Sequence, residues 1–340
     1  MAVTAGVKLG LIALMGLSLT QQAQAFGRDQ LQIVGSSTVF PFAKAVAERI
    51  GMTGNFMTPV VESTGTGGGM ELFCAGTGPQ TPDITNASRA MKSSEAKTCA
   101  ANGVTPVELK IGFDGIVVAG FRDGPDFNLS LEQLFLALAA KVPVNGKLVD
   151  NPYKSWADID KALPDNPIEV LGPPPTSGTR DAFMEMAMEG GCAKLKDAKA
   201  LGLQGKACHA IREDGAFLDT GENDDLIVQI LDANPKAVGI FGYSFLSRNS
   251  SHLKGALIQG IAPDFANIAN GSYPLSRPLF VYVKAEHAGE VPGLREYLRE
   301  LTRDQAWGAT GYLKERGLIP LPEESRAEQL GQIGTVLTGK

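Results

Sequence analysis

The chain has 340 residues, a formal net charge of −6 at pH 7 and a hydrophobic fraction of 44%. This length fits two domains better than one, and the acidic balance argues against nucleic acid or an anionic membrane surface as a partner. Glycine is frequent, at 40 residues, which predicts many tight turns or close backbone approaches.

The N-terminal segment, up to Ala25, has the pattern of a secretory signal peptide. Lys8 supplies a basic start, residues 9–19 are apolar, and residues 23–25 read Ala-Gln-Ala, an A-x-A cleavage site. The apolar run is too short to span a bilayer. We therefore expect export, cleavage after Ala25, and a mature chain that begins at Phe26. Loss of Lys8 changes the net charge from −6 to −7.

Four cysteines lie in the mature chain, Cys74 and Cys99 in its first half and Cys192 and Cys208 further on. An even number in an exported chain predicts disulfides. Three pairings are possible, and locality favours the sequential one. A zinc site is the alternative, but the sequence has no CxxC and its three histidines are scattered, which disfavours a metal.

Segments typical of strands alternate along the chain with segments that have apolar residues at helical spacing. Strands are predicted within residues 31–35, 58–63, 83–89, 111–120, 168–172, 237–246 and 278–283. Helices are predicted at residues 41–50, at the end of a glycine-rich loop in 67–76, at 130–142 with Ser130 as N-cap, and over most of the chain after 291. This alternation is typical of an α/β fold with mostly parallel sheets.

Four predicted strands end in small hydroxyl or glycine residues that lead toward a helix. These turns are GSSTVFPF (35–42), STGTGGGM (63–70), NASRAMK (86–92) and TSGTRDAF (176–183). A helix N-terminus has unpaired N–H groups and partial positive charge, and Ser and Thr add hydroxyl donors. Such turns bind phosphate or sulfate at the carboxyl ends of strands. Each turn alone is better explained as an N-cap or a flexible loop, but four together favour an anion site.

Nucleotide binding and catalysis are disfavoured. The glycine-rich turn lacks the GK[ST] of a P-loop, and no G-x-G-x-x-G follows a strand with an acidic residue about twenty positions on. A hydrolase using Ser177 as nucleophile needs a base or a metal cluster. The scattered histidines give no Ser–His–Asp pattern, and TSGTR is not a G-x-S-x-G elbow. We expect a protein that is not an enzyme and uses no cofactor.

An ordered set of motifs resembles a known family. The motifs are GSSTVFPFAKAVAE, ESTGTGGGMELFCAG, DITNASRAMK, GFDGIVVA, SWADI, PPPTSGTRDAF, AVGIFGYSFL and YPLSRPLFVYV, and they cover nearly the whole mature chain. The set is similar to the PstS-type periplasmic phosphate-binding proteins of phosphate-specific ABC transporters. The resemblance implies a periplasmic protein that binds inorganic phosphate with high affinity and delivers it to an inner-membrane ABC permease complex.

The same resemblance implies a two-lobed type II solute-binding fold of the α/β class. Each lobe has a sheet flanked by helices, and two crossover strands near residues 111–116 and 273–279 join the lobes. Lobe one then comprises residues 26–112 plus 278–340, and lobe two comprises residues 113–277. Each cysteine pair falls within one lobe. We expect a monomer without membrane insertion, because the apolar run 134–140 is too short to span a bilayer and is assigned to the core of lobe two.

The resemblance also implies the phosphate ligands. Hydroxyl and backbone N–H groups of three turns match the family's donors: Ser37 and Thr38, Thr66, and Ser177, Gly178 and Thr179. The proline run before Ser177 then fixes the approach of the strand end. Arg180, directly after the Ser-Gly-Thr motif, is expected to supply charge-assisted hydrogen bonds.

Two positions depart from the family pattern. Better-known members carry an Asp in the turn after the third strand, which accepts a hydrogen bond from protonated phosphate; here the turn reads Ala-Ser-Arg at 87–89. Some members carry an Arg upstream of Ser-Gly-Thr, where this chain has prolines. Asp114 is the candidate replacement acceptor, and Arg89 is the phosphate donor that balances its charge. The alternatives are a turn Asp bonded to local backbone and a surface Arg at a helix start.

The acceptor matters because phosphate keeps a proton near neutral pH and sulfate does not. A buried carboxylate accepts that proton but repels sulfate, and a buried charged group without a partner costs several kcal/mol. Because the usual Asp is absent, a binding protein for sulfate or another oxyanion is the alternative. A phosphate-responsive surface protein without a transport role is a further alternative.

Overall fold

The computed structural model describes residues 1–2, 27–175, 177–220 and 224–338, so the predicted cleavage site after Ala25 lies outside the described residues. Within these ranges the strands are β1 (Gln32–Gly35), β2 (Val60–Val61), β3 (Ile84–Ala87), β4 (Pro106–Phe121), β5 (Asn128–Leu129), β6 (Lys141–Val144), β7 (Lys147–Asp150), β8 (Val170–Gly172), β9 (Phe217–Asp219), β10 (Val238–Gly242), β11 (Leu253–Gly255), β12 (Leu257–Ile258) and β13 (Ser276–Lys284).

The helices alternate with these strands and crowd toward the end of the chain. They are α1 (Phe40–Met52), α2 (Gly65–Phe73), α3 (Ser93–Ala101), α4 (Leu131–Leu138), α5 (Trp156–Ile159), α6 (Gly178–Phe183), α7 (Gly190–Cys192), α8 (Asp224–Ala233), α9 (Tyr243–Arg248), α10 (Phe265–Ala269), α11 (Leu294–Leu301), α12 (Asp304–Trp307), α13 (Tyr312–Glu315), α14 (Glu323–Gln332) and α15 (Gly334–Thr338). A π-helical segment, Met184–Glu189, joins α6 to α7 in one continuous helical run. No helix in the described ranges is long and apolar enough to cross a membrane.

The fold is α/β with two lobes on one mixed sheet. The strand order is β2-β1-β3-β13-β4-β10-β8-β9, with β11 also paired to β4. The strands β1, β2 and β3 are parallel, as are β8, β9 and β10. The expectation of mostly parallel sheets was wrong, because β13 runs antiparallel to β3 and β4, and β10 and β11 run antiparallel to β4.

The long strand β4 passes from one lobe to the other. It pairs with β13 from Pro106 to Gly115, and with β10 from Ile116 to Gly120. Its cross-strand partner therefore changes between Gly115 and Ile116. The lobe boundaries at residues 112/113 and 277/278 stay a prediction, but the two antiparallel strands that connect the lobes lie side by side here. Side chains on their facing positions meet at the centre of the molecule.

The helix α4 shows how local sequence sets an element and tertiary pairing ends it. Ser130 Oγ accepts from the Gln133 N–H at 3.1 Å, and Gln133 Oε1 accepts from the Ser130 N–H at 2.8 Å, a capping box that confirms the predicted N-cap. The helix was predicted to reach residue 142 but ends at Leu138. The following residues instead form the β6–β7 hairpin, whose Asn145-Gly146 turn has positive φ at both positions.

Each predicted strand segment overlaps an observed strand, whereas the short strands β5, β6, β7, β9, β11 and β12 were not predicted. The glycine-rich segment, predicted as a loop, is already helical from Gly65. Its glycines permit close packing: a Cβ on Gly69 would lie 2.5 Å from Gly35 Cα and 2.6 Å from Thr85 Oγ1. Helix α2 therefore lies directly on the ends of β1 and β3.

Each lobe has its own apolar core. The lobe-one core includes Leu109 and Trp307, and the lobe-two core includes Phe135 and Trp156, all fully buried. The predicted assignment of residues 134–140 to a core is confirmed, because this segment lies in the same cluster as Trp156. The disulfides join Cys74 to Cys99 and Cys192 to Cys208, the sequential pairing.

Candidate anion-binding cleft

Two of the predicted anion-binding turns meet across the cleft between the lobes. Ser37, after β1, donates from Oγ to Asp181 Oδ2 at 2.6 Å, and Thr38 donates from Oγ1 to the Gly178 carbonyl oxygen at 3.4 Å. A Cβ on Gly178 would lie 2.9 Å from the Ser37 carbonyl oxygen. The approach of the two lobes at this point therefore depends on a residue without a side chain.

A cavity of about 520 Å³ lies beside this contact. Six of the predicted site residues line it, three from the first turn and β4 and three from the Ser-Gly-Thr turn: Ser37, Thr38, Asp114, Ser177, Gly178 and Thr179. These residues lie far apart along the chain, and the fold brings them together around one cavity.

The Ser-Gly-Thr turn begins the helical run that continues to Cys192. Ser177 is the N-cap, and its Oγ accepts from the Thr179 N–H at 3.2 Å. The cap uses a lone pair, so the hydroxyl hydrogen of Ser177 stays available for an acceptor in the cavity. Apart from the Thr179 N–H, which donates to the cap, the first N–H groups of a helix have no partner within it. This turn is therefore a group of donors at the cavity wall.

The centre of the site is an ion pair between the two connecting strands. Asp114 on β4 lies opposite Arg277 on β13, and Arg277 Nε is 3.7 Å from Asp114 Oδ2. The Asp114 side chain is 13% exposed and the Arg277 side chain is 8% exposed. Arg277 also donates to Glu185 Oε2 at 2.7 Å and to Thr38 Oγ1 at 2.5 Å. Arg277 thus connects Thr38 of the predicted first turn to Glu185 on the helical run that follows the Ser-Gly-Thr turn.

The Asp114–Arg277 pair is incompletely satisfied. The 3.7 Å between Arg277 Nε and Asp114 Oδ2 is too long for a hydrogen bond. Neither of these two atoms has a hydrogen-bond partner among the described residues. Burial raises the pKa of Asp114, and the neighbouring Arg277 guanidinium opposes that shift. Buried polar atoms are normally hydrogen-bonded, so this pair offers one acceptor and one charged donor to a ligand.

Three predicted ligands have partners elsewhere and do not line the cavity. Thr66 Oγ1 accepts from the Ser88 N–H at 3.1 Å and lies 3.0 Å from Ser88 Oγ. Arg89 forms a bidentate pair with Glu95 at 2.9 and 2.7 Å, and this hydrogen bonding raises the Arg89 pKa. A glycine-rich turn and a Ser-Arg turn that are alike in sequence to the cavity turns thus hold lobe one together.

Arg180, the third of these residues, also turns away from the cavity. Its guanidinium lies 4.3 Å from the centre of the Phe217 ring and donates to the Pro173 carbonyl oxygen at 3.1 Å. Burial lowers the Arg180 pKa, against the effect of Asp219. The guanidinium therefore packs within lobe two and fixes the proline segment that leads into the Ser-Gly-Thr turn.

Four residues of the site were not named as ligands from the sequence: Ser63, Ser244 and Arg316, which line the cavity, and Arg277. Ser63 is the first residue of the predicted glycine-rich turn 63–70, so that turn reaches the cavity through this residue. The signal for Arg277 was present, because it is a charged residue inside the apolar strand segment YPLSRPLFVYV. Pairing the two predicted crossover segments with each other would have placed it opposite Asp114. Ser244 lies in α9, directly after β10, within the motif AVGIFGYSFL.

Comparison with known proteins places these features in a family. The model of the PBP superfamily domain matches residues 20–305. Protein SphX of Synechococcus elongatus is 28% identical over 317 residues, covering 90% of this chain and 83% of that protein. The phosphate-binding protein PstS of Staphylococcus saprophyticus is 28% identical over 318 residues, covering 92% of this chain and 86% of that protein.

Solved structures agree on the fold. A possible phosphate binding protein from Planctomyces limnophilus superposes with a TM-score of 0.73 at 28% identity, over 91% of this chain and 99% of that chain. An ABC-type phosphate transport receptor from Vibrio cholerae has a TM-score of 0.59 at 20% identity, over 86% and 100%. The chain therefore belongs to the PBP superfamily and is a homologue of the PstS-type phosphate-binding proteins that its motifs resemble.

Proposed function

We propose that the cleft binds inorganic phosphate with high affinity and that the protein delivers it in the periplasm to an inner-membrane ABC permease complex. One observation carries the proposal. Asp114 has a buried oxygen, Oδ2, without a hydrogen-bond partner among the described residues, and Asp114 lines the same cavity as the donors of the Ser-Gly-Thr turn. A ligand that both accepts and donates hydrogen bonds can pair with Asp114 and with these donors.

Protonated phosphate has that combination. Its bare oxygens accept from Ser177, from the N–H groups of the following turn and from Arg277, the buried cation beside Asp114. Its P–OH donates to Asp114. The names of the curated relatives and of the superposed structures support phosphate as the ligand.

The same geometry predicts that the cleft rejects sulfate. Sulfate has no proton near neutral pH, so it would place a bare, negatively charged oxygen against the Asp114 carboxylate. An unpaired buried charge costs several kcal/mol, and a free-energy difference of about 1.4 kcal/mol corresponds to a factor of ten in affinity. We therefore propose discrimination of at least about a thousandfold, and we assign it to Asp114 in place of the Asp that other family members carry.

A binding role fits the cleft better than a catalytic one. Ser177 Oγ is engaged as the N-cap acceptor, and the cavity lining within the described residues includes no histidine. A serine nucleophile requires a base within hydrogen-bond reach. We infer that the cleft binds its ligand without chemical change.

Calorimetric titration of the mature chain, freed of ligand, with phosphate and with sulfate tests the proposal. We expect micromolar or tighter phosphate binding and no heat with sulfate, and we expect Asp114→Asn to lose discrimination by about a hundredfold or more, because the amide can donate to a bare oxygen. Thermal unfolding of the variant checks that it folds. Equal binding of both anions, or no phosphate binding, contradicts the proposal and favours another oxyanion.

Delivery to a permease is tested separately. Phosphate uptake by cells of the source organism that lack this protein should fall, and the full-length chain should restore it. N-terminal sequencing of the exported protein should begin at Phe26. A protein that is exported and binds phosphate but leaves uptake unchanged has a phosphate-responsive role outside transport.

A further inference from the structure

The contact between Ser37 and Asp181 determines what Ser37 can offer to a ligand. The two oxygens are 2.6 Å apart across the cleft. An ionised carboxylate only accepts hydrogen bonds, so the hydroxyl hydrogen of Ser37 is committed to Asp181. Ser37 lines the cavity, and toward a ligand it presents lone pairs. The family resemblance implied a donor at this position, but the geometry makes Ser37 an acceptor.

Two of the acceptors among the described cavity residues decide which protons the ligand needs. The first is Asp114 on β4, whose Oδ2 has no hydrogen-bond partner among the described residues. The second is Ser37, on the turn after β1. Each acceptor is satisfied by a proton on the ligand, and an acceptor left facing a bare anionic oxygen loses a hydrogen bond and adds repulsion.

The charges that face these groups also favour a ligand of low charge. Three carboxylates lie at the cleft, Asp114, Asp181 and Glu185, against the guanidinium groups of Arg277 and Arg316. On the neighbouring elements, Arg89 feels Glu185 but is paired with Glu95, and Arg180 packs on Phe217 with Asp219 nearby. The balance at the cleft is thus three negative groups against two positive ones.

We propose that the cleft takes phosphate as the dihydrogen monoanion, H2PO4⁻. One P–OH donates to Asp114, and the other donates to Ser37, whose own hydrogen goes to Asp181. The hydrogen phosphate dianion has a single P–OH and leaves one acceptor against a bare oxygen. This inference rests on the proposed function and specifies the protonation state that the site selects.

The consequence is a pH profile. When only the monoanion binds, the apparent dissociation constant for total phosphate is the intrinsic constant divided by the monoanion fraction, by the same arithmetic as for a partly populated binding-competent state. Affinity is then constant while the monoanion dominates. It falls by about tenfold per pH unit once the pH exceeds the second pKa of phosphate, which lies near neutrality.

Titration of the mature chain with inorganic phosphate between about pH 6 and pH 8.5 measures this profile. The informative variant is Asp181→Asn. Its amide donates to the Ser37 oxygen and frees the hydroxyl hydrogen, so Ser37 becomes a donor that suits the dianion. We expect the alkaline fall to disappear and binding at about pH 8.5 to be roughly tenfold tighter than in the wild type.

A matched control makes the same change of charge away from the cavity. Glu189→Gln lies on the same helical run, where Glu189 pairs with His209, and it should keep the wild-type profile. Ser37→Ala removes the oxygen itself and should also flatten the profile, so the test does not depend on one variant. Thermal unfolding checks the fold of each.

The outcomes separate this inference from the proposed function. Phosphate binding that is equal at both ends of the pH range overturns the monoanion inference and leaves phosphate binding intact. An alkaline fall that persists unchanged in Asp181→Asn overturns the role of the Ser37–Asp181 pair. Absence of phosphate binding at every pH overturns the proposed function and the inference together.

Discussion

The glycine-rich start of α2 and the Ser-Gly-Thr start of α6 look alike in sequence and pack differently in the fold. Both place Ser, Thr and Gly at a helix start. In the first, Gly69 packs on Gly35 and Thr85 of the same lobe. In the second, Gly178 packs on Ser37 and Thr38 of the other lobe. The same pattern therefore packs within one lobe at Gly69 and across the cleft at Gly178, where we propose that the ligand binds.

The far ends of the two helical runs are held in the same way. Helix α2 is followed by Cys74, bonded to Cys99, and the run from α6 ends at Cys192, bonded to Cys208. Lys284 adds a further support near the end of α2, where its Nζ donates to the Gly76 carbonyl oxygen at 2.6 Å and lies 5.1 Å from the centre of the Phe73 ring. The two helical runs therefore differ in what their glycines pack against and not in how their C-terminal ends are held.

Gly69→Ala should have the largest effect and should act on stability. The added Cβ would lie 2.5 Å from the Gly35 backbone, and such overpacking costs roughly 2 kcal/mol. Chemical denaturation measures the loss in free energy of unfolding. Gly67→Ala is the control, because its Cβ meets nothing within 4 Å and alanine favours the helix. If the two variants are equally stable, close packing at Gly69 does not require glycine, and the assigned stabilising role is wrong.

Gly178→Ala should act on binding. Its Cβ would lie 2.9 Å from the Ser37 carbonyl oxygen and 3.1 Å from Thr38 Cα, so the lobes must separate slightly and hydrogen bonds across the cleft lengthen. We expect phosphate affinity to fall roughly tenfold, about 1.4 kcal/mol, with the melting temperature nearly unchanged. Calorimetry and thermal unfolding of the same preparation measure both. A lower melting temperature with unchanged affinity would contradict this assignment.

The smallest expected effect is a pH dependence of the free energy of unfolding that Lys284, near the end of α2, produces. Burial lowers its pKa from 10.5 to about 8, and Asp83 and Glu286 oppose the shift. The unfolded state then binds more protons between about pH 8 and 10.5, so the free energy of unfolding rises with pH in that window, by roughly 0.7 kcal/mol between pH 7.5 and 8.5. Denaturation of the wild type and of Lys284→Met across this range measures it. A variant with the same slope as the wild type would exclude Lys284 as the cause.

Much of the fold was predictable because its signals are local. The Ser130 capping box, the apolar strands and the sequential disulfides all involve residues near one another in the chain. The short strands and the end of α4 were not predictable in this way, because strand pairing decides them. Five of the six predicted cavity residues lie in turns found from turn chemistry, since a strand end followed by a helix start places hydroxyl groups at one edge of a sheet. The sixth, Asp114, came from the family resemblance and lies within β4.

The sequence by itself determined the longer strands and helices of this protein and the turns that carry hydroxyl groups. Only the tertiary structure decided how those groups are used. Arg277 faces Asp114 through strand register, and Ser37 gives its hydrogen to Asp181, which lies far along the chain. A polar group takes the partner that folding brings within about 3 Å, and local sequence does not specify a contact between distant strand ends.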